Sequence, residues 1–505
     1  MGTNSEGLKV LQTWLLSYKA GELFTEKGQP IDEILSIVPK EEGRRLGQTK
    51  EIHAGREQFV VPDWKQLAIR SGSEESCMKV VGKYMDLAFQ ANPIGLRLFS
   101  PDELESNKLG AVFDNTSRNL QWDEYSFGKG GRVIEILSEH TCQGSFPSAT
   151  TETLLIGPPG MIQGYTLTGR TAHFPSYEAF IGIAQTMMVQ YSKFVKMAKE
   201  TNFRAPNASL NYLVTSTWTR QEHNGFSHQN PGFIGAVLNL KADVARVYLP
   251  PDVNCFLSTI SHCLNSRNYV NLMVGSKQPT AVWLGPEEAE IHCRAGASVW
   301  RFCSTDEGLR PDVVLVGIGT EVTFEVIAAA ALLREIAPEL RVRVVNVTNL
   351  MILEPFGSHP HALSDDDFDH LFTEDRRIVI NYHGYSRDIA GLLFGRKGIE
   401  RARIEGYREE GSTTTPFDMM LRNRVSRYHI AMEAVRGAAL VSERVALRAM
   451  ELGSQLQSRI KEAQRVIYAT GTGTLCPTPF YRYFIVISLT LLVDPRGTYD
   501  VPKFT

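Results

Sequence analysis

The chain has 505 residues, 43% of them hydrophobic and 22% charged, with a formal net charge of −3. No basic excess points to a nucleic-acid partner, there is no strongly acidic tail, and the length alone suggests roughly three domains, each able to bury a core. The seven cysteines form no CxxC pair; their odd number and scattered spacing fit reduced thiols of a cytoplasmic protein better than a disulfide framework. The opening residues MGTNSEGLKVLQTW contain no apolar signal-peptide core.

In chain order, residues 7–24 place Leu8, Leu11, Trp14, Leu15 and Tyr18 at helical spacing, and residues 31–38 predict a second short helix stopped by Pro39. Residues 40–63 are polar and Gly-dotted, a linker. A helix is expected over 77–91, strands over 96–99 and 132–137, and a long helix over 177–199 whose Met-rich face reads as core. Residues 211–215, 234–240, 244–249 and 269–274 read as strands. Strand, helix and strand recur over 310–353, and another strand is expected at 377–382. Gly317-Ile318-Gly319 lacks the third glycine and the distal acid of a dinucleotide fingerprint. Three threonines before Pro416 suit a helix N-cap with proline in the first turn. Residues 443–466 form an amphipathic helix with a solvated face. The alternation of strands and helices predicts an α/β protein with mostly parallel sheets.

One loop concentrates reactive side chains. Residues 218–232, WTRQEHNGFSHQNPG, follow a strand and carry Gln221, His223, Asn224, Ser227 and His228. Two imidazoles within six residues suit proton transfer near neutral pH; a solvated polar turn is the competing reading.

Taken with FSPDELESNKL (99–109), QWDEY (121–125), LSEHTCQG (137–144), QGYTLTGR (163–170), PSYEAF (175–180), VGSKQP (274–279) and EEGSTTTPFDMMLRNRVSRY (409–428), this loop resembles the phosphoketolases, thiamine-diphosphate enzymes acting on xylulose 5-phosphate and fructose 6-phosphate. The resemblance runs from about residue 8 to about residue 463. It implies transketolase-like α/β domains, homo-oligomeric assembly and cleavage of a ketose phosphate by inorganic phosphate to acetyl phosphate and an aldose phosphate. It also implies roles by position. Glu139 would hydrogen-bond the aminopyrimidine of the cofactor, Phe180 would stack on it, and Glu103 belongs to the same stretch. Gln221, His223, Asn224 and His228 would face the substrate. Ser106, Lys108, Tyr177 and Lys277 would contact substrate and phosphate, with Asn224. Lys108 stands where some members carry Arg, which keeps the charge and gives up the bidentate fork.

The implied architecture is a tail of an N-terminal diphosphate-binding domain (1–63), a pyrimidine-binding domain (64–300), a C-terminal domain (301–466) and an irregular tail (467–505). No acidic GDG…N motif for the diphosphate and its Mg²⁺ is found, nor an obvious cluster of oxygen ligands, so a partner is expected to supply that site. Residues 145–160, SFPSATTETLLIGPPG, place three prolines where the family runs into a helix. They read as a looped-out insertion or translated non-coding sequence, as do residues 471–492; the apolar run FIVISLTLLV is too short for a membrane span of about 20 residues. Two other readings compete. One is a catalytically inactive remnant that dimerises or binds metabolites. The other is a metal centre of His140, His223 and His228, which lacks HxxxH spacing and cysteine partners.

Overall fold

A computed structural model of the chain describes residues 4–41, 59–119, 130–143, 161–167, 169–202, 205–220 and 225–471. The stretches 145–160 and 472–492 and most of the linker expected over 40–63 lie outside these.

At the N-terminus the helix expected over 7–24 is shorter. Helix Ser5–Ser17 is capped by the Asn4 side chain, which accepts from the Gly7 amide, and buries none of its residues. It stops because Lys19 turns into the left-handed region (φ 50°), after which a 3₁₀ turn, Ala20–Glu22, begins. The second helix, Asp32–Ile37, falls where expected.

Two sheets follow. Strand β1 (Glu74–Ser76) leads into helix Cys77–Ala91, then β2 (Leu96–Ser100), β3 (Val133–Glu135), β4 (Thr171–Ser176), β5 (Leu210–Val214), β6 (Ala245–Tyr248) and β7 (Val270–Val274). Strands β2 to β7 form one six-stranded sheet in the order β3-β2-β4-β5-β7-β6, parallel throughout. Strand β8 (Pro279–Ala281) pairs only with β1. The second sheet contains β9 (Ala297–Val299), β10 (Val313–Ile318), β11 (Val342–Val347), β12 (Arg377–Tyr385) and β13 (Ala402–Tyr407) in the order β13-β12-β10-β11-β9, with β9 alone antiparallel. Parallel strands covered on both faces need apolar residues at successive positions rather than alternate ones. VVLVGI in β10 meets this, and every residue of the strand is buried.

Helices Cys77–Ala91 and Val253–Asn265 cover one face of the first sheet through Met78, Phe89, Phe256 and Ile260. Helices Gln185–Glu200 and Gly232–Leu238 cover the other through Met188, Tyr191, Phe233 and Val237. Each core layer continues into the second sheet, through Val322 and Leu333 on one side and Ile389 and Leu393 on the other. Backbone bonds stitch the seam: the Leu249 amide donates to the Thr348 carbonyl at 2.8 Å.

Two expectations are corrected. Residues 234–240 are not a strand; Gly232–Leu238 is a helix that buries Phe233, Ile234 and Val237. A short apolar run has no readable period, and here the turn at Pro231 starts a helix. The segment 177–199 is not one helix but a 3₁₀ turn, Ile181–Ala184, followed by Gln185–Glu200. Its buried stripe is Met188, Tyr191, Val195 and Ala198, while Phe194 and Met197 are 54% and 60% exposed, so the Met-rich face is core only in part. Elsewhere the pattern holds: Thr415 accepts from the Asp418 amide with Pro416 at the first helical position. Helix Glu443–Thr470 buries one stripe of Val445, Leu452, Leu456, Ile460 and Ile467.

Among the described residues no helix is long and apolar enough to cross a membrane, six cysteines are free thiols, and no group of three or more His, Cys, Asp or Glu side chains is arranged to hold a metal ion.

Candidate active site

In an all-parallel sheet every strand delivers the chain to the same edge, and the loops there form the natural cleft. The described candidates all follow a strand of the first sheet at that edge. Glu103, Ser106 and Lys108 follow β2, Glu139 follows β3, Tyr177 and Phe180 follow β4, His228 follows β5, and Lys277 follows β7.

Several of them meet. The Tyr177 hydroxyl donates to Ser106 Oγ (3.0 Å), and the Ser106 hydroxyl donates to the Glu103 carbonyl (2.9 Å). The Lys277 ammonium lies 4.2 Å from the centre of the Tyr177 ring, and the residue is only 4% exposed. The His228 ring packs edge-on against Phe180 (centroids 4.8 Å apart) and Tyr177 (6.0 Å), with Nδ1 3.0 Å from Ser227 Oγ. A buried ammonium on an aromatic face, next to a hydroxyl pair and an imidazole, can bind an oxyanion or a sugar hydroxyl.

Glu139 opens a short helix, Glu139–Gln143, and is half-buried. Its charge reaches the group through Asp102, whose Oδ2 accepts the Tyr177 amide at 3.0 Å. Burial pushes the Asp102 carboxyl up to about 6, and the charges of Glu139 and Glu103 add to the effect against the Tyr177 hydrogen bond. Burial also raises the Tyr177 phenol. Lys108, at φ 63°, has an exposed side chain and joins none of these contacts. Gln221, His223 and Asn224 lie outside the described residues.

Three carboxylates and one histidine went unnoticed in the sequence. Asp102 sits inside FSPDELESNKL, where an acid just after a strand was the available signal. Glu178, next to Tyr177, contacts His383 Nε2 from the second sheet and accepts the Trp218 amide at 3.0 Å through its other oxygen. The Trp218 indole donates to the His383 carbonyl (2.6 Å), and the Thr217 hydroxyl donates to Glu321 (2.9 Å). The side chains of Glu178, His383, Trp218, Thr217 and Glu321 are all buried. Their pairing spans 205 residues of sequence, which no local pattern reveals. The cluster fixes Thr217 and Trp218, shortly before the described segment ends at residue 220.

Solved structures with this architecture include transketolase from Leishmania mexicana (TM-score 0.53, 17% identity, 75% of this chain and 48% of that one). A transketolase from Pichia stipitis, in complex with xylulose 5-phosphate, gives 0.54 at 14% identity over 86% of this chain and 54% of that one. These likenesses show a transketolase-like α/β fold. In sequence, the chain is 48% identical over 465 residues to a "Probable phosphoketolase" of Schizosaccharomyces pombe, covering 92% of this chain and 54% of that protein. It is 42% identical over 438 residues to one from Nocardia farcinica, covering 84% and 51%. The chain thus spans about half the length of these relatives. Residues 79–266 match the family model of D-xylulose 5-phosphate/D-fructose 6-phosphate phosphoketolase and residues 277–474 that of the XFP C-terminal domain, and with most of its length so matched the chain belongs to the phosphoketolase family.

Proposed function

We propose that the chain carries the pyrimidine-binding and C-terminal parts of a phosphoketolase that cleaves xylulose 5-phosphate or fructose 6-phosphate with inorganic phosphate. The products are acetyl phosphate and an aldose phosphate. One observation carries this reading: Ser106, Tyr177, Lys277 and His228, each from a different strand end, converge on one edge of the sheet.

In this reading Lys277 supplies positive charge to the substrate phosphate or to the attacking phosphate, and the Tyr177 ring under the ammonium holds it in place. Ser106 and Tyr177 form one polar face of the substrate cleft. His228, with Gln221, His223 and Asn224 of the same loop, donates to substrate hydroxyls and moves protons during loss of water. Glu139 and Phe180 fit an aminopyrimidine, since a carboxyl and an aromatic ring stand at the same sheet edge. Thiamine diphosphate, when bound, supplies the carbanion chemistry that breaks the carbon–carbon bond. Mg²⁺ is another matter. The sequence carries no acidic GDG…N motif for it, so we assign the metal and diphosphate to a partner domain.

The domain limits 64–300 and 301–466, a homo-oligomeric or partner-completed assembly and a cytoplasmic location belong to the same proposal. It is tested by acetyl phosphate formation from xylulose 5-phosphate with phosphate, thiamine diphosphate and Mg²⁺ present. The assay is run on this chain alone and on this chain mixed with the N-terminal half of the S. pombe relative. Turnover in the mixture that Glu139→Gln abolishes is the expected result. Silence in the mixture, with thiamine diphosphate failing to bind, overturns the reading.

A further inference from the structure

At the opposite edge of the first sheet, where β6 and β7 begin, lies a cavity of about 180 Å³ lined by Arg246, His262, Asn265, Ser266, Tyr269, Asn271 and His361. It sits on the seam, since His361 comes from the second sheet's side, ahead of helix Asp365–Phe372. Arg246 is only 3% exposed, yet among the described residues it forms no ion pair with a carboxylate. Its guanidinium donates to the carbonyls of Ala242 (3.1 Å) and Ala245 (2.7 Å), touches His359 Nε2 (3.0 Å) and lies 4.2 Å over the Tyr269 ring. None of these neighbours carries negative charge. The nearby Asp243 carboxylate meets Lys199 (3.6 Å) and Lys241 (3.3 Å) through Oδ2 and makes no ion pair with Arg246 among the described residues. A desolvated cation without a counter-charge is costly unless an anion joins it.

The imidazoles are set up as donors. His361 Nδ1 lies 3.0 Å from the Asn349 side-chain amide, whose oxygen already accepts from the Met351 amide. The Asn349 nitrogen therefore donates to Nδ1, and the His361 proton sits on Nε2, available to a ligand in the cleft it lines. His359 Nδ1 accepts the His361 amide at 2.9 Å, so its proton sits on Nε2, where it donates to the Ala245 carbonyl (3.3 Å) and not to the cleft. Burial and the Arg246 charge keep His262, His359 and His361 below their ordinary values, so at neutral pH the rings are uncharged, and His262 and His361 line the cleft beside one fixed cation.

We infer that this cleft, bounded by Arg246, His262, Asn265 and His361, binds a phosphate-sized oxyanion, either free phosphate or the phosphate group of a small phosphomonoester. Arg246 supplies the charge with a planar fork, and the histidines and Asn265 supply neutral N–H donors. An anion here would hold β6 of the first sheet against residues 359–361 and so brace the seam at the end remote from the candidate active site. The inference is independent of the catalytic reading.

The test is equilibrium binding of inorganic phosphate to the Lys277→Met chain, in which the buried cation of the candidate active site is removed. Saturable binding is expected, together with a rise in Tm on adding phosphate. Arg246→Met should weaken it at least tenfold. Because Arg246 also holds backbone carbonyls, Asn265→Asp is the second variant: it is nearly isosteric, leaves the Arg246 contacts in place and puts a carboxylate in the cleft. It too should weaken binding at least tenfold. Absence of saturable binding, or binding unchanged in Asn265→Asp, overturns the inference. Competition by glycerol phosphate at equal or lower concentration assigns the site to phosphomonoesters, and weaker competition assigns it to free phosphate.

Discussion

His383 of β12 and Glu178, two residues beyond β4, face each other as a buried pair, with Trp218 bonded to both. The pair is the polar pin of the seam, and its loss should be felt in stability. Burial pulls the His383 imidazole down, but the charge and hydrogen bond of Glu178, with Glu321 behind, outweigh it and leave the ring above its ordinary value. A folded-state value above the unfolded one gives stability that is complete below about pH 6.5 and fades as pH rises through the folded value. Removing one partner of a buried pair costs roughly 3–5 kcal/mol. Glu178→Gln keeps a hydrogen bond, so a loss of about 3 kcal/mol is expected in urea unfolding at pH 6. The wild-type decline above pH 6.5 should disappear in His383→Gln. An unchanged slope there would assign the alkaline decline to other groups.

Acid sensitivity should come from a different histidine. His173 in β4 is fully buried, neither ring nitrogen has a partner among the described residues, and burial holds it down to about 3. Here the folded value lies below the unfolded one, so the unfolded chain takes up the proton first. Stability is lost as pH falls from about 6.5, at up to ~1.4 kcal/mol per pH unit. His173→Leu removes both unpartnered nitrogens and this proton uptake. It should be neutral or stabilising at pH 7 and move the acid unfolding midpoint, followed by circular dichroism, to lower pH. His292 and His429, each held to about 4 by burial, leave a residual acid slope.

How far the sequence could be read follows from the range of the interactions. Helix Cys77–Ala91 and the strands β2, β5 and β10 were legible because their burial repeats within a few residues. The residues 101–109 and 175–180 were legible only through family motifs, and the structure then supplies what the motifs lack: Tyr177 meets Ser106 across 71 positions. Helix Gly232–Leu238 was misread because seven apolar and small residues have no distinguishing period. Glu178, Asp102 and Arg246 were missed for one reason. Their significance lies in what surrounds them in space, such as a buried acid next to another acid or a buried cation with no anion, and neither is visible from neighbours in the chain.

Gly275, two residues before Lys277, tests how tightly the cleft is mounted on the core. A Cβ built there would lie 2.4 Å from Phe256 Cε2 and 2.8 Å from Met78 Cε, two fully buried core side chains. Rings packed in a core cannot retreat without disturbing their own neighbours, and overpacking costs roughly 1–3 kcal/mol. Gly275→Ala should therefore lower Tm in calorimetry and, by shifting the backbone toward Lys277, weaken phosphate-ester binding as well. A stable variant with intact binding would show that the β7 end is looser than the packing indicates.

Lys277 and Tyr177 should separate in kinetics if the proposed cleft is right. Lys277→Met keeps the length of the side chain over the Tyr177 ring and removes only the charge. A hydrogen bond to a charged group contributes about 1.5–3 kcal/mol, so KM for xylulose 5-phosphate or for phosphate should rise roughly 10- to 100-fold in the reconstituted assay. Tyr177→Phe leaves the ring under the ammonium and deletes only the hydroxyl that donates to Ser106. That neutral bond is worth about 1 kcal/mol, which corresponds to roughly a fivefold drop in kcat/KM with the Lys277 contact preserved. Neither substitution empties a core position, so circular dichroism and Tm should match the parent chain. If Lys277→Met leaves both KM values unchanged, its ammonium contacts neither phosphate and the convergence at this sheet edge serves only packing.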